Sequence, residues 1–175
     1  MRKRASFLLI FVFIFASDVF AVMLTEIRYN ANDVGSGRWE YTYEVKNISL
    51  ELPIEEFTIW FDYGKYDNLV ITTPDPPAGN WNQIVIQPEQ LIGDDGFYDA
   101  YVLATGISEG EIVSGFSVSF DWLGQGLPGS QFYEIINPVT FETIDWGITV
   151  PEPATLTLFG FAMLFIFRRQ GAGRE

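Results

Sequence analysis

The 175-residue sequence contains no cysteine and no histidine, and between residues 22 and 150 it carries only four basic side chains, Arg28, Arg38, Lys46 and Lys65. Without cysteine there is no disulfide, no thiolate metal site and no lipid-modified N-terminal cysteine. Without histidine the usual general base near neutral pH is gone, and with it the Ser-His and Cys-His nucleophile arrangements and the commonest zinc ligand. The four bases stand against 20 acidic residues in the same stretch, a net of −16. Such a surface repels phosphate backbones and anionic headgroups, which disfavours nucleic acid and favours a cationic ion or polymer. Long hydrophobic runs are absent as well: Phe7 to Ala16 and Ala154 to Phe167 both fall short of the ~20 residues that span a bilayer.

What is present is ordered by position. MRKRASFLLIFVFIFASDVFA opens the chain with Arg2, Lys3 and Arg4, continues with the first apolar run, and ends on Val19-Phe20-Ala21. A basic start, a short apolar core and small residues before a cut are the anatomy of a secretory signal peptide handled by the Sec translocon, with cleavage expected after Ala21. The mature chain is then expected to begin at Val22, outside the cytoplasm. At the other end, 14 apolar residues would make about 21 Å of helix at ~1.5 Å per residue, against a hydrocarbon core of ~30 Å. A segment of that length lodges in a membrane weakly, with the stems of Arg168 and Arg169 reaching the cytoplasmic interface.

Directly before this run stand Val150, Pro151, Glu152 and Pro153. Pro151 pushes Val150 toward an extended conformation, and Pro153 suits the first turn of a helix, where its missing N–H costs nothing. The order Pro-Glu-Pro, apolar segment, Arg168-Arg169 over residues 150 to 175 resembles the PEP-CTERM sorting signal. That resemblance implies an exosortase-like membrane enzyme as partner, cleavage near the Pro-Glu-Pro, and a destination at the cell surface or in the exopolysaccharide matrix of a Gram-negative bacterium. Gln170 interrupts the basic cluster and Gly171 to Glu175 extend beyond it, a modest departure from the pattern.

Between the two ends, residues 22 to 149 alternate like strands. In WEYTYEVKN, Trp39, Tyr41, Tyr43 and Val45 share one face; in FTIWFDY, Phe57, Ile59, Phe61 and Tyr63 do; in GFSVSFDW, Phe116, Val118, Phe120 and Trp122 do. Period two is the signature of half-buried strands. WNQIVIQ, FYDAYVLA, QFYEII and FETIDWGITV read as further strands whose facing the alternation does not assign. Seven to nine strands in ~130 residues predict an all-β fold, a single antiparallel β-sandwich of Ig-like or jelly-roll-like type. The proline-rich stretch 72–80, TTPDPPAGN, is read as a loop inside this domain, since either half alone would be too small to bury its aromatics.

Candidate chemistry in the body is sparse. The carboxylate pairs Glu55-Glu56, Asp94-Asp95 and Glu109 with Glu111 invite comparison with glycosidases, but adjacent acids in loops ordinarily keep a surface soluble, and the chain is not expected to be an enzyme. Calcium takes six to eight oxygen ligands, so Asp94, Asp95 and Asp99 in IGDDGFYDA are candidate ligands, followed by Asp62, Asp67 and Asn68 in DYGKYDN. Neither stretch has EF-hand spacing, and no cofactor other than calcium suggests itself. Trp60, on the polar side of its strand, and Trp81, beside Asn80, Asn82 and Gln83, are candidates for stacking on a sugar ring, whereas Trp39 and Trp122 align with core positions. The expectation is an exported structural or adhesive protein, with a carbohydrate-binding module as the alternative. Asn47-Ile48-Ser49 fits the N-glycosylation pattern and is taken as coincidence in a bacterial chain.

Overall fold

The computed structural model describes residues 23–153. The expected signal peptide with Ala21, the apolar run after Pro153 and the pair Arg168-Arg169 lie outside the described residues. Among the described residues no helix is long and apolar enough to cross a membrane.

Ten strands form two sheets. β1 (Thr25–Gly35), β2 (Arg38–Asn47), β4 (Tyr66–Ile71), β7 (Ile112–Trp122) and β10 (Val150–Pro151) make the first, in the order β10-β1-β2-β7-β4. β3 (Glu56–Phe61), β5 (Trp81–Ile86), β6 (Gly96–Val102), β8 (Phe132–Ile136) and β9 (Thr143–Ile148) make the second, in the order β5-β6-β3-β8-β9. Every pairing is antiparallel except β10 on β1. The stretch 72–80 carries the chain from β4 in one sheet to β5 in the other.

The period-two pattern places most of the core where the sequence puts it; Tyr63, read onto the same face as Phe57, lies beyond the end of β3 and is exposed, and Trp39 and Trp122 are only partly buried. Tyr41, Tyr43 and Val45 of β2, Phe57, Ile59 and Phe61 of β3, and Phe116, Val118 and Phe120 of β7 are all buried. Rings from the two sheets meet edge to face: Phe57 and Phe116 have centroids 5.0 Å apart at 80°, and Trp81 and Phe116 are 5.2 Å apart at 90°. Such T-shaped pairs set the positive ring edge against the negative face. Tyr41, Tyr43, Tyr98 and Tyr133 are buried with their hydroxyls donating to Gly129 O, Gln131 Oε1, Gln83 Oε1 and Thr25 O respectively. A buried phenol without such an acceptor would be destabilising.

Two backbone features shape the first sheet. The β1–β2 hairpin turns through Gly35, Ser36 and Gly37, all at positive φ, which explains why glycine flanks the serine. Gly115, at φ 101°, is the extra residue of a bulge in β7: Tyr43 pairs with Phe116 while Glu44 pairs with Ser114.

Asn47 ends β2 fully buried, so it is not presented as a glycan acceptor. Its Nδ2 donates to Leu52 O at 3.0 Å and Ile107 O at 3.1 Å, and its Oδ1 accepts from Leu50 N at 2.9 Å. These three bonds hold the turn after β2 to the Ile54–Ile107 bridge. Asn47→Ala leaves the partners unmatched and is expected to lower the unfolding free energy by about 2 kcal/mol in a urea titration.

Candidate functional site

The outward faces of the two sheets differ in kind. On the first sheet the exposed side is charged and self-paired. Arg28 bridges Glu26 at 2.9 Å and Glu44 at 3.6 Å, Arg38 bridges Asp121 at 2.9 Å, and Arg38 Nη2 also donates to Ser119 Oγ. On the second sheet the exposed side is mainly aromatic and aliphatic, with Asp99, Glu134 and Glu56 set among the rings.

Strand register assembles that second face in rows. Ile86 pairs with Phe97, and Phe97 with Trp60; one step beyond the Ile59–Tyr133 pair, Phe132 lies beside Trp60, and Phe132 pairs with Ile148. The next row runs Ile84, Asp99, Thr58, Glu134, Trp146, and a third runs Asn82, Tyr101, Glu56, Ile136, Thr143. Five strands at ~4.8 Å spacing give these rows a span of about 19 Å. Trp146 is 66% exposed, Ile148 52%, Ile86 49%, Ile84 47%, Tyr101 41% and Phe132 38%. None of the four basic residues of the body belongs to these rows: three are on β1 and β2, and Lys65 lies between β3 and β4.

The rings on this face are held in place. Trp60 packs on Phe97 with centroids 5.4 Å apart, and its Nε1 donates to Glu134 Oε2 at 3.0 Å. Glu134 Oε1 in turn accepts from Thr143 Oγ1 at 2.8 Å, and Trp146 packs on Phe132 at 6.0 Å. Asp99 accepts from Thr58 Oγ1 at 2.7 Å with one oxygen, leaving the other without a donor among the described residues. Burial raises the Asp99 carboxyl above the ordinary aspartate range, its bond from Thr58 pulling the other way; burial and then the charge of Asp99 raise Glu56.

A group whose folded pKa lies above its unfolded one favours the protonated native state, so its charged form weakens folding as pH rises through that window. Asp99→Asn keeps an acceptor for Thr58 and removes the charge. It is therefore expected to raise the melting temperature at pH 7.5 and to leave it unchanged below pH 3.5, measured by calorimetry across that range.

At one end of the sandwich the face runs into a cleft of about 480 Å³, where Trp60 and Phe132 are joined by Trp122, Asp62, Lys65 and Gln131. Lys65 bridges Asp62 at 2.7 Å. Gln131 is buried, its Oε1 engaged by Tyr43, and its Nε2 has no partner among the described residues.

The other sequence candidates are distributed as follows. Trp60 is on the exposed face. Trp81 is not: at 5% exposure it packs between Phe57 and Phe116, because β5 turns Trp81 and Val85 inward and Ile84 and Ile86 outward. It is a core residue and not a stacking platform. Asp94 and Asp95 lie in the turn before β6, where Asp95 Oδ1 accepts from Tyr63 N, while Asp99 faces Thr58 in the sheet. Asp62 accepts from the turn amide of Gly64, Asp67 from the amide of its neighbour Asn68 in β4, and Asn68 donates to Asp121. Among the described residues no three acidic side chains converge to hold a metal ion. Of the paired acids, Glu111 closes its own turn by accepting from Ser108 N.

The tail leaves from the opposite sheet. Thr149 is fully buried, donating its N–H to Gln131 O at 2.8 Å and accepting from Gln131 N through Oγ1 at 2.9 Å. Val150 and Pro151 then pair in parallel with Arg28 and Tyr29, and Glu152 N donates to Tyr29 O at 2.8 Å. Pro151, Glu152 and Pro153 are exposed.

These features define an all-β sandwich module with a terminal address. Residues 149–170 match the PEP-CTERM protein-sorting motif, so the chain is an exported protein sorted to the cell envelope or surface. No curated protein matches it in sequence. In fold it is similar to a family 3b carbohydrate-binding module from the biomass-sensing system of Clostridium clariflavum, at 15% identity and a TM-score of 0.44, covering 75% of this chain and 98% of that one. It is also similar to a cohesin module from a family 33 glycoside hydrolase of Clostridium perfringens, at 9% identity and a TM-score of 0.46, covering 74% and 99%. Neither likeness is close enough to transfer a ligand.

Proposed function

We propose that the sandwich is a non-catalytic adhesive module that holds exopolysaccharide of the envelope or biofilm matrix on the outer face of its second sheet. Export through the Sec translocon and processing of the tail by an exosortase-like enzyme in the inner membrane of a Gram-negative bacterium bring it there. The observation that carries the reading is the ring-bearing face itself, about 19 Å across by strand spacing, with acceptors set between the rings. Aromatic faces stack on the C–H faces of sugar rings, and Asp99, Glu56 and the edge amide of Asn82 are disposed to take hydroxyls.

A large exposed apolar patch marks a binding surface, and the polar centre of this one distinguishes its occupant. Protein interfaces deplete charge from their centre, whereas here Asp99, Thr58 and Glu134 occupy the middle row. Among the described residues no base belongs to these rows, which selects against uronate or phosphate polymers and for uncharged or cationic ones.

Native electrophoresis of the exported chain through gels containing a neutral β-glucan, chitosan or polygalacturonate tests it. Retardation by the first or second but not by the third is expected, with no new reducing ends released. Free migration in all three gels overturns the adhesive reading, and release of reducing ends overturns its non-catalytic part.

A further inference from the structure

The first residues of the sorting motif are docked on the sandwich. Thr149, the first residue of the matched motif, is buried and twice hydrogen-bonded to Gln131, and the next two residues form β10 against β1. Within Pro151-Glu152-Pro153 only Glu152 has a backbone N–H, because proline has none. That one donor is already given to Tyr29 O at 2.8 Å. Enzymes that take an extended peptide commonly bind it by adding it as a strand through backbone hydrogen bonds, and here the tripeptide's only donor is committed to its own domain.

We propose that β10 is a latch: while it lies on β1 the Pro-Glu-Pro segment is closed to the processing enzyme, which acts on the segment after it lifts from the sheet. This rests on the exosortase route proposed above. The ladder is only two residues long and sits at the sheet edge, so it can open locally while the sandwich stays folded. Thr149 marks the fixed end of the hinge. Folding of the module thus sets the fraction of time for which its tail is available, and the domain on the N-terminal side of the motif regulates how quickly it is released.

The absence of cysteine offers a direct test. Arg28 and Val150 are Cα partners in the β1–β10 ladder, and neighbouring strands lie ~4.8 Å apart, within reach of a disulfide, so Arg28→Cys with Val150→Cys can lock the latch as the chain's sole disulfide. In exporting cells the locked double variant is expected to convert to the shortened form at least tenfold more slowly than either single variant, with normal conversion restored by a membrane-permeant reductant. Conversion of the oxidised double variant at the rate of the single variants overturns the latch. Intact Glu175 on the unaltered chain at its final location overturns the sorting route, and the latch with it. Hydrogen exchange on the purified unprocessed chain gives a second reading that needs no substitution. A Glu152 amide slowed relative to a free peptide is expected, and one that exchanges at the free-peptide rate overturns the latch while leaving the route intact.

Discussion

Phe116→Ala is expected to lower the unfolding free energy by about 4 kcal/mol, since truncating a fully buried phenylalanine removes both its transfer energy and the packing around the cavity. Phe116 is the ring on which both sheets converge: Phe57 and Trp81 of the second sheet each set an edge or face against it within 5.2 Å. Both pairs vanish with it, and pairs of this kind contribute ~0.5–1.5 kcal/mol beyond area burial. Against a total stability of ~5–15 kcal/mol for such a domain, the change is large. A melting temperature lower by roughly 15 °C follows for ~130 residues. A calorimetric shift below 3 °C would show that the sheets are not clasped at this point.

The largest loss of binding is expected from Trp60→Ala combined with Trp146→Ala. Each ring is expected to contribute about tenfold to retention on polysaccharide, comparable to the low end of the ~1–3 kcal/mol per ring that aromatic side chains contribute when nucleobases stack on them. Trp60 on β3 and Trp146 on β9 are separated by β8, about 10 Å apart by strand spacing, but both neighbour Phe132 and Glu134 of that strand, so the pair should lose up to about 100-fold with a measurable coupling between the two substitutions. Loss of Trp60 frees Glu134 Oε2, but Glu134 keeps its bond from Thr143, which preserves the middle row. Trp146 is exposed, so its removal should leave the melting temperature close to that of the parent chain. Lys46→Gln on the first sheet serves as the comparison and should bind unchanged. Full retention by the double variant would remove the face from consideration as the binding surface.

How much of this was readable in the chain depends on the strand. β2, β3 and β7 alternate cleanly because one side of each is core and the other polar, so Tyr41, Phe57 and Phe116 could be assigned inward and Trp60 outward. β1 is hard to read because its second half, Asn30 to Gly35, has little to bury, and β4 because Asn68 at positive φ interrupts its register. β5, β8 and β9 carry apolar residues on both sides, so alternation gives no direction: Trp81 goes in, while Phe132 and Trp146 stay out. That is why the polar neighbours Asn80, Asn82 and Gln83 suggested a stacking role for Trp81, and why Trp146, the most exposed tryptophan of the face, gave no signal of its own.

The tail is the opposite case. A sorting motif is read by order along the chain, apolar run after Pro-Glu-Pro and arginines after that, and linear order needs no fold to be seen. Composition likewise decided, without coordinates, that histidine and thiol chemistry are absent, and its negative charge is the ground for expecting anionic polymers to be poor partners. Only the tertiary structure decided which rings share a surface and that Glu152 is tied to Tyr29. Both depend on pairing between strands distant in the sequence, and which residues face one another across a sheet is set by register and packing, not by any interval along the chain.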